Sequence, residues 1–70
     1  MERIPVQSSS IASIGHDAAT ETLHVEFLKS GKTYAYDGVP REEFDKLMAA
    51  DSIGAHFGKH IRPKFMGIPL

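Results

Sequence analysis

From Leu23 to Phe27 apolar and polar side chains alternate without a break, and Ser30-Gly31 then separates this run from a second alternating stretch, Thr33 to Tyr36. A period of two is the mark of a half-buried strand, and a glycine between two such strands marks a hairpin. With Ser30-Gly31 as a two-residue loop, the expected register sets Phe27 opposite Tyr34 and Val25 opposite Tyr36. Leu23, Val25, Phe27, Tyr34 and Tyr36 then share one face, where aromatic and β-branched pairs stabilise a sheet. Thr22, His24, Glu26, Thr33 and Ala35 form the opposite, wet face.

The chain before the hairpin reads as one more strand, Ile11 to Gly15, turning at Asp17-Ala18-Ala19-Thr20. Beyond it, Gly38-Val39-Pro40 switches the period from two to 3.6. Pro40 suits a first helical turn, Glu42 and Glu43 lie where the helix dipole favours negative charge, and Pro40, Phe44, Leu47 and Met48 fall on one stripe. This helix is expected over about 40–50, with Glu42–Lys46 and Arg41–Asp45 as exposed i,i+4 pairs. Ser52 can cap a second helix whose buried stripe is Ile53, Phe57 and Ile61 and whose terminator is Pro63. The expected fold class is therefore α+β: a small single domain with a three-stranded antiparallel meander followed by two short helices packed on one face (β-β-β-α-α). The whole of residues 1–70 is expected to be one domain, with a core over about 6–65 and an apolar tail, 66–70, that covers the sheet or docks on a second copy.

A chain of 70 residues buries little surface, so each large apolar side chain is first a core candidate. Gly54 and Gly58 beside the second stripe each cost about 1 kcal/mol relative to alanine in a helix, which argues for close backbone packing there. There is no cysteine, so neither a disulfide framework nor a thiolate metal site is available. No apolar run reaches the length of a membrane span, and MERIPVQSSS lacks a signal-peptide hydrophobic segment, so a cytoplasmic location away from membranes is expected.

Several motifs stop short of a chemistry. Gly31-Lys32-Thr33 looks like the end of a phosphate-binding loop, yet Glu26 stands where the first glycine belongs and a strand follows in place of a helix. Ser8-Ser9-Ser10 has no nucleophile elbow around it, which makes these hydroxyls turn or strand-edge groups. His56 and His60 have a zinc-compatible i,i+4 spacing, but Phe57 occupies the position of a glutamate base and no third ligand is near in sequence. No enzyme, metal site or cofactor is expected.

Charge is distributed unevenly. Residues 1–51 carry 5 Lys/Arg against 9 Asp/Glu, whereas residues 52–70 carry Lys59, Arg62 and Lys64 and no acid. An anionic partner is drawn to that end of the chain. Lys59, Arg62, Lys64 and His56, with Tyr34 and Tyr36, are the candidate nucleic-acid-binding residues: the cations for phosphates, the aromatics to stack a base or to fill the core and offer a hydroxyl at its edge. On an α-helical wheel Arg62 lies on the exposed side and Lys59 points fully outward.

The succession Ser9…Ile14-Gly15-His16-Asp17, Leu23-x-Val25-x-Phe27-x-x-x-Gly31, Tyr34-x-Tyr36, Val39-Pro40, Phe44-x-x-Leu47, Ala50-x-Ser52-x-Gly54-x-x-Phe57 and Ile61-Arg62-x-x-Phe65 resembles the KTSC domain. That short domain is named for its occurrence at the C-terminus of some lysyl-tRNA synthetases, and it also stands alone in bacteria and phages. The resemblance spans roughly residues 6–65, with His16 where the family usually has tyrosine and Pro63 directly after the Ile-Arg pair. It implies a small binding module with RNA as the expected partner. The alternative expectation is a protein-interaction or adaptor module, such as a phage or prophage accessory protein, that meets a protein partner or a second copy through the sheet edge or apolar tail.

Overall fold

The alternating segment forms the centre of an antiparallel sheet in the computed structural model, which describes residues 2–70; Met1, the first residue of the expected domain, lies outside them. Five strands follow one another in the order of the chain: β1 (Ile4–Pro5), β2 (Ile11–Asp17), β3 (Thr22–Phe27), β4 (Thr33–Tyr36) and β5 (Gly67–Pro69). Helix α1 (Arg41–Ala49) and helix α2 (Ile53–His56), which runs on into a π-helical turn over Phe57–Ile61, connect β4 to β5.

The expected meander is thus the middle of a five-stranded sheet. The two additional strands are too short to show a period, and each carries a proline. Val6 N donates to Ala12 O at 3.1 Å and Leu70 N to Thr33 O at 2.9 Å. Because inward and outward backbone groups alternate along an antiparallel ladder, Pro5 and Pro69 both occupy outward positions, where an N–H would have faced an approaching strand. Both open edges are blunted against further pairing.

Hairpin register differs from expectation by two residues. Val25 pairs with Tyr34 and Leu23 with Tyr36, because Leu28 to Gly31 form a four-residue loop in which Gly31 N donates to Phe27 O at 3.0 Å and Gly31 takes a φ of 68°. A shift of two preserves the faces, so both tyrosines stay with Leu23 and Val25. A bulge between Ile11 and Ser13 does similar work on β2: Ile11 and Ile14, an odd number of residues apart, both point into the core.

Helices cover one face of the sheet. Phe44 and Leu47 of α1, together with Phe57 and Ile61, close over Ile11, Ile14, Leu23, Val25, Tyr36 and Val39. Pro40 is the extended N-cap of α1 rather than part of its first turn. Arg41 pairs with Asp45 at 3.1 Å as expected, whereas Lys46 reaches Glu43 at 3.8 Å in place of Glu42. Ser52 caps α2, its hydroxyl accepting from Ala55 N at 3.3 Å. The opposite face of the sheet is half-buried, and on it Ser13 donates to Glu26 at 2.9 Å.

Candidate nucleic-acid interface

The mouth of the hairpin, the π-turn and β5 converge on a cleft of about 520 Å³ lined by Ser10, Phe27, Lys29, Ser30, Tyr34, Tyr36, Phe57, Arg62, Phe65 and Gly67. Its apolar wall is an edge-to-face aromatic chain: Phe27 with Tyr34 at 5.7 Å, Phe27 with Phe57 at 5.7 Å, and Tyr36 with Phe57 at 5.4 Å between ring centroids. Tyr36 and Phe57, each 5 % exposed, are the fixed floor. Phe27, Tyr34 and Phe65 are only half-buried and offer open ring surface. Burial raises the Tyr36 hydroxyl above its usual pKa, partly offset by the Arg62 guanidinium and reinforced by Tyr34. The hydroxyl therefore remains a neutral donor near pH 7.

The π-turn is what brings Arg62 to this wall. In an α-helix, five residues advance roughly 500°, which leaves Arg62 about 140° away from Phe57 and on the solvent side. Here Arg62 N donates to Phe57 O at 2.9 Å, an i→i+5 bond that makes the two residues one turn apart. Phe57 and Arg62 consequently face the same cleft, and Ile61 still enters the core.

Gly67 is required for a different reason. It pairs with Tyr36 across the β4–β5 ladder, and a Cβ there would lie 2.6 and 2.7 Å from two carbons of the tyrosine ring. The ring lies over a bare backbone, which lets β5 seat close to β4. Gly54 is also a packing glycine, though against serine hydroxyls rather than the expected backbone, since a Cβ on it would meet Ser10 Oγ at 2.8 Å and Ser8 Oγ at 3.2 Å. Gly58 differs from expectation: nothing lies within 4 Å of its Cβ position. The serine run is a turn, with Ser8 Oγ accepting from Ser10 N and Ile11 N, both at 3.2 Å.

Of the six residues expected from sequence, Arg62, Tyr34 and Tyr36 come together in the cleft. Lys59 and Lys64 are exposed and do not line it. The His56 ring lies tilted against His60 with ring centroids 4.6 Å apart, and burial, followed by the charge of His60, pushes its pKa below the usual histidine value; Glu43 opposes this and Lys46 adds to it. It is therefore a neutral ring near pH 7 rather than a cation. Sequence reasoning missed Lys29, because it counted residues 1–51 together as an acidic block.

A second, shallower depression of about 620 Å³ is lined by Glu2, Ile4, His16, Asp17, Ala18, Arg41 and Phe44. Its histidine is structural: His16 Nε2 lies 2.7 Å from Val39 O and so donates to it, while the ring stacks on Phe44 at 5.2 Å. Among the described residues, no group of three or more His, Cys, Asp or Glu is placed to hold a metal ion, and no helix is long and apolar enough to cross a membrane.

Comparison with known proteins adds the lineage of this architecture. A crystal structure of a KTSC domain protein from Yersinia pestis matches with a TM-score of 0.94 at 39% identity, covering 99% of this chain and 96% of that one. An uncharacterised protein of Stutzerimonas stutzeri is 44% identical over 64 residues, which are 91% of this chain and 89% of that protein. A lysine–tRNA ligase of Nostoc punctiforme is 39% identical over 59 residues, 84% of this chain but 10% of the ligase. With the KTSC domain family model also matching residues 7–65, the chain belongs to the KTSC domain family.

Proposed function

We propose that the chain is a non-enzymatic binding module for single-stranded nucleic acid, RNA foremost, acting in the cytoplasm, with the aromatic cleft as its site. The observation that carries this reading is the composition of the cleft: open Phe27, Tyr34 and Phe65 rings beside Lys29 and Arg62, with no carboxylate among its lining residues. Aromatic faces stack bases of any sequence, and guanidinium and ammonium groups neutralise phosphates. The occurrence of a similar segment in a lysine–tRNA ligase accords with an RNA partner. Ser8, the one serine of the run whose hydroxyl accepts backbone N–H groups, is engaged in a turn rather than set beside a base, in keeping with binding rather than turnover.

Fluorescence anisotropy of a labelled single-stranded RNA tests the reading. Binding should weaken as salt rises and should fall in the Arg62→Gln and Tyr34→Leu variants while their thermal unfolding stays cooperative. Unchanged affinity in both variants would remove the cleft from the account.

A second reading, docking of a protein or of another copy, is motivated by Met66 and Leu70, which are 81 % and 72 % exposed. It draws on the side chains of the C-terminal segment rather than on the sheet edges, which Pro5 and Pro69 blunt. Concentration-dependent mass by sedimentation, abolished by Met66→Ser with Leu70→Ser, is its expected signature, and a monomer at all concentrations counts against self-association.

A further inference from the structure

Resting on the nucleic-acid reading, we infer that the cleft receives one unpaired nucleotide at a time, its base on the open aromatic wall and its flanking phosphates on Lys29 and Arg62. A volume of about 520 Å³ lies within the range of small-molecule pockets, roughly 300–1,000 Å³, and is a pocket's volume rather than a track's. The remaining C-terminal cations, Lys59 and Lys64, stand outside the lining, so phosphate neutralisation at the site is limited to two groups. The buried floor of Tyr36 and Phe57 closes the inner end, which leaves the half-buried rings of Tyr34, Phe27 and Phe65 to contact the base.

The base must be unpaired. In a duplex the ring faces are covered by stacked neighbours, and the deep, narrow major groove of A-form RNA admits no wall of this kind. The second depression is less suited to phosphate, because Glu2 and Asp17 line it beside a single cation, Arg41, which is already paired with Asp45.

Two neutralised phosphates on a single strand give a slope of about −1.4 in log K against log salt, from roughly −0.7 per phosphate. Affinity should then fall about sevenfold between 50 and 200 mM salt, and removing one cation, as in Lys29→Gln or Arg62→Gln, should bring the slope to about −0.7. Loss of a stacking ring in Tyr34→Leu should lower affinity about fivefold or more.

The test is an amide-shift titration with four probes: AMP, the dinucleotide pUpA, hexauridylate and a fully paired RNA duplex. Saturation of cleft amides by AMP or pUpA, with hexauridylate no more than about tenfold tighter and the duplex weaker, supports the one-nucleotide pocket. Tighter binding of pUpA, which carries a phosphate on each side of its uridine, than of AMP supports the pairing of both phosphates with Lys29 and Arg62, and equal affinity for the two overturns that pairing. Affinity that climbs steeply to the hexamer, with a slope steeper than about −3, overturns the inference yet leaves nucleic-acid binding standing. A duplex bound as tightly as hexauridylate also overturns it. Shifts absent with every probe overturn both this inference and the nucleic-acid reading.

Discussion

Replacing Gly67 by alanine tests how the last strand is held. The added Cβ would sit 2.6 Å from a carbon of the Tyr36 ring, roughly 0.8 Å inside ordinary van der Waals contact. That ring is 5 % exposed and packs edge-to-face on Phe57, so it cannot swing away without disturbing the floor of the cleft. Overpacking of this kind costs about 1–3 kcal/mol. Because Gly67 does not need a positive φ, alanine also recovers about 0.4–1 kcal/mol by restricting the unfolded chain. The net expectation is a loss of about 1–2 kcal/mol, which for a domain of this size lowers the unfolding temperature by about 5–15 °C. Calorimetry or thermal circular dichroism reads this directly. A cycle with Tyr36 isolates the cause: in a Tyr36→Phe background the cost of Gly67→Ala should persist, and in a Tyr36→Leu background it should shrink to zero or reverse. A Gly67→Ala protein as stable as the parent, or one equally destabilised with Leu at position 36, would refute the steric reasoning.

The two helix glycines should behave differently from one another. Gly58→Ala meets open space and is expected to stabilise by about 0.4–1 kcal/mol, whereas Gly54→Ala presses on Ser10 and Ser8 and should destabilise, with partial recovery in Ser10→Gly; urea midpoints separate the two. Deleting Gly58 should be tolerated, because it turns the π-turn into an α-turn with Phe57, Ile61 and Arg62 at i, i+3 and i+4, still on neighbouring faces; loss of the folded spectrum counts against this. His56 is held below its ordinary pKa of 6.5, so the unfolded chain binds the proton more readily than the folded one. Its contribution is fully present above pH 6.5 and is lost as pH falls through the folded-state pKa, and His56→Asn should flatten the decline in unfolding free energy between pH 7.5 and 5; a parent whose stability is flat over that range contradicts the burial of this ring.

The two faces of the hairpin were legible because parity survives error. The real loop is two residues longer than the expected one, yet a slip of two keeps every side chain on its face, so Tyr34 and Tyr36 still point where the alternation placed them. β5 was not legible: Gly67-Ile68-Pro69 shows no period, and its pairing depends on a bare glycine finding the Tyr36 ring, a contact between residues far apart in sequence. The helices were visible through their stripes and the Ser52 cap, but the π-turn was hidden, since a wheel assumes 3.6 residues per turn throughout. That one assumption set Arg62 far round the helix from Phe57, whereas Arg62 lines the cleft with it while staying exposed. The candidate site was accordingly half visible. Arg62, Tyr34 and Tyr36 were named for their chemistry, whereas Lys29 depended on the fold bringing the hairpin loop to the C-terminal turn, and Lys59 and Lys64 were grouped with Arg62 by nearness in sequence alone.

The most direct test of the cleft as the binding site is an amide-shift map of the protein with a short single-stranded RNA, recorded at low and at physiological salt. The account predicts shifts concentrated on Lys29, Ser30, Tyr34, Arg62 and Gly67, diminishing as salt rises and needing more RNA to reach saturation in Arg62→Gln. Shifts centred instead on Lys59 and His60, or none at all from a folded protein, would contradict it.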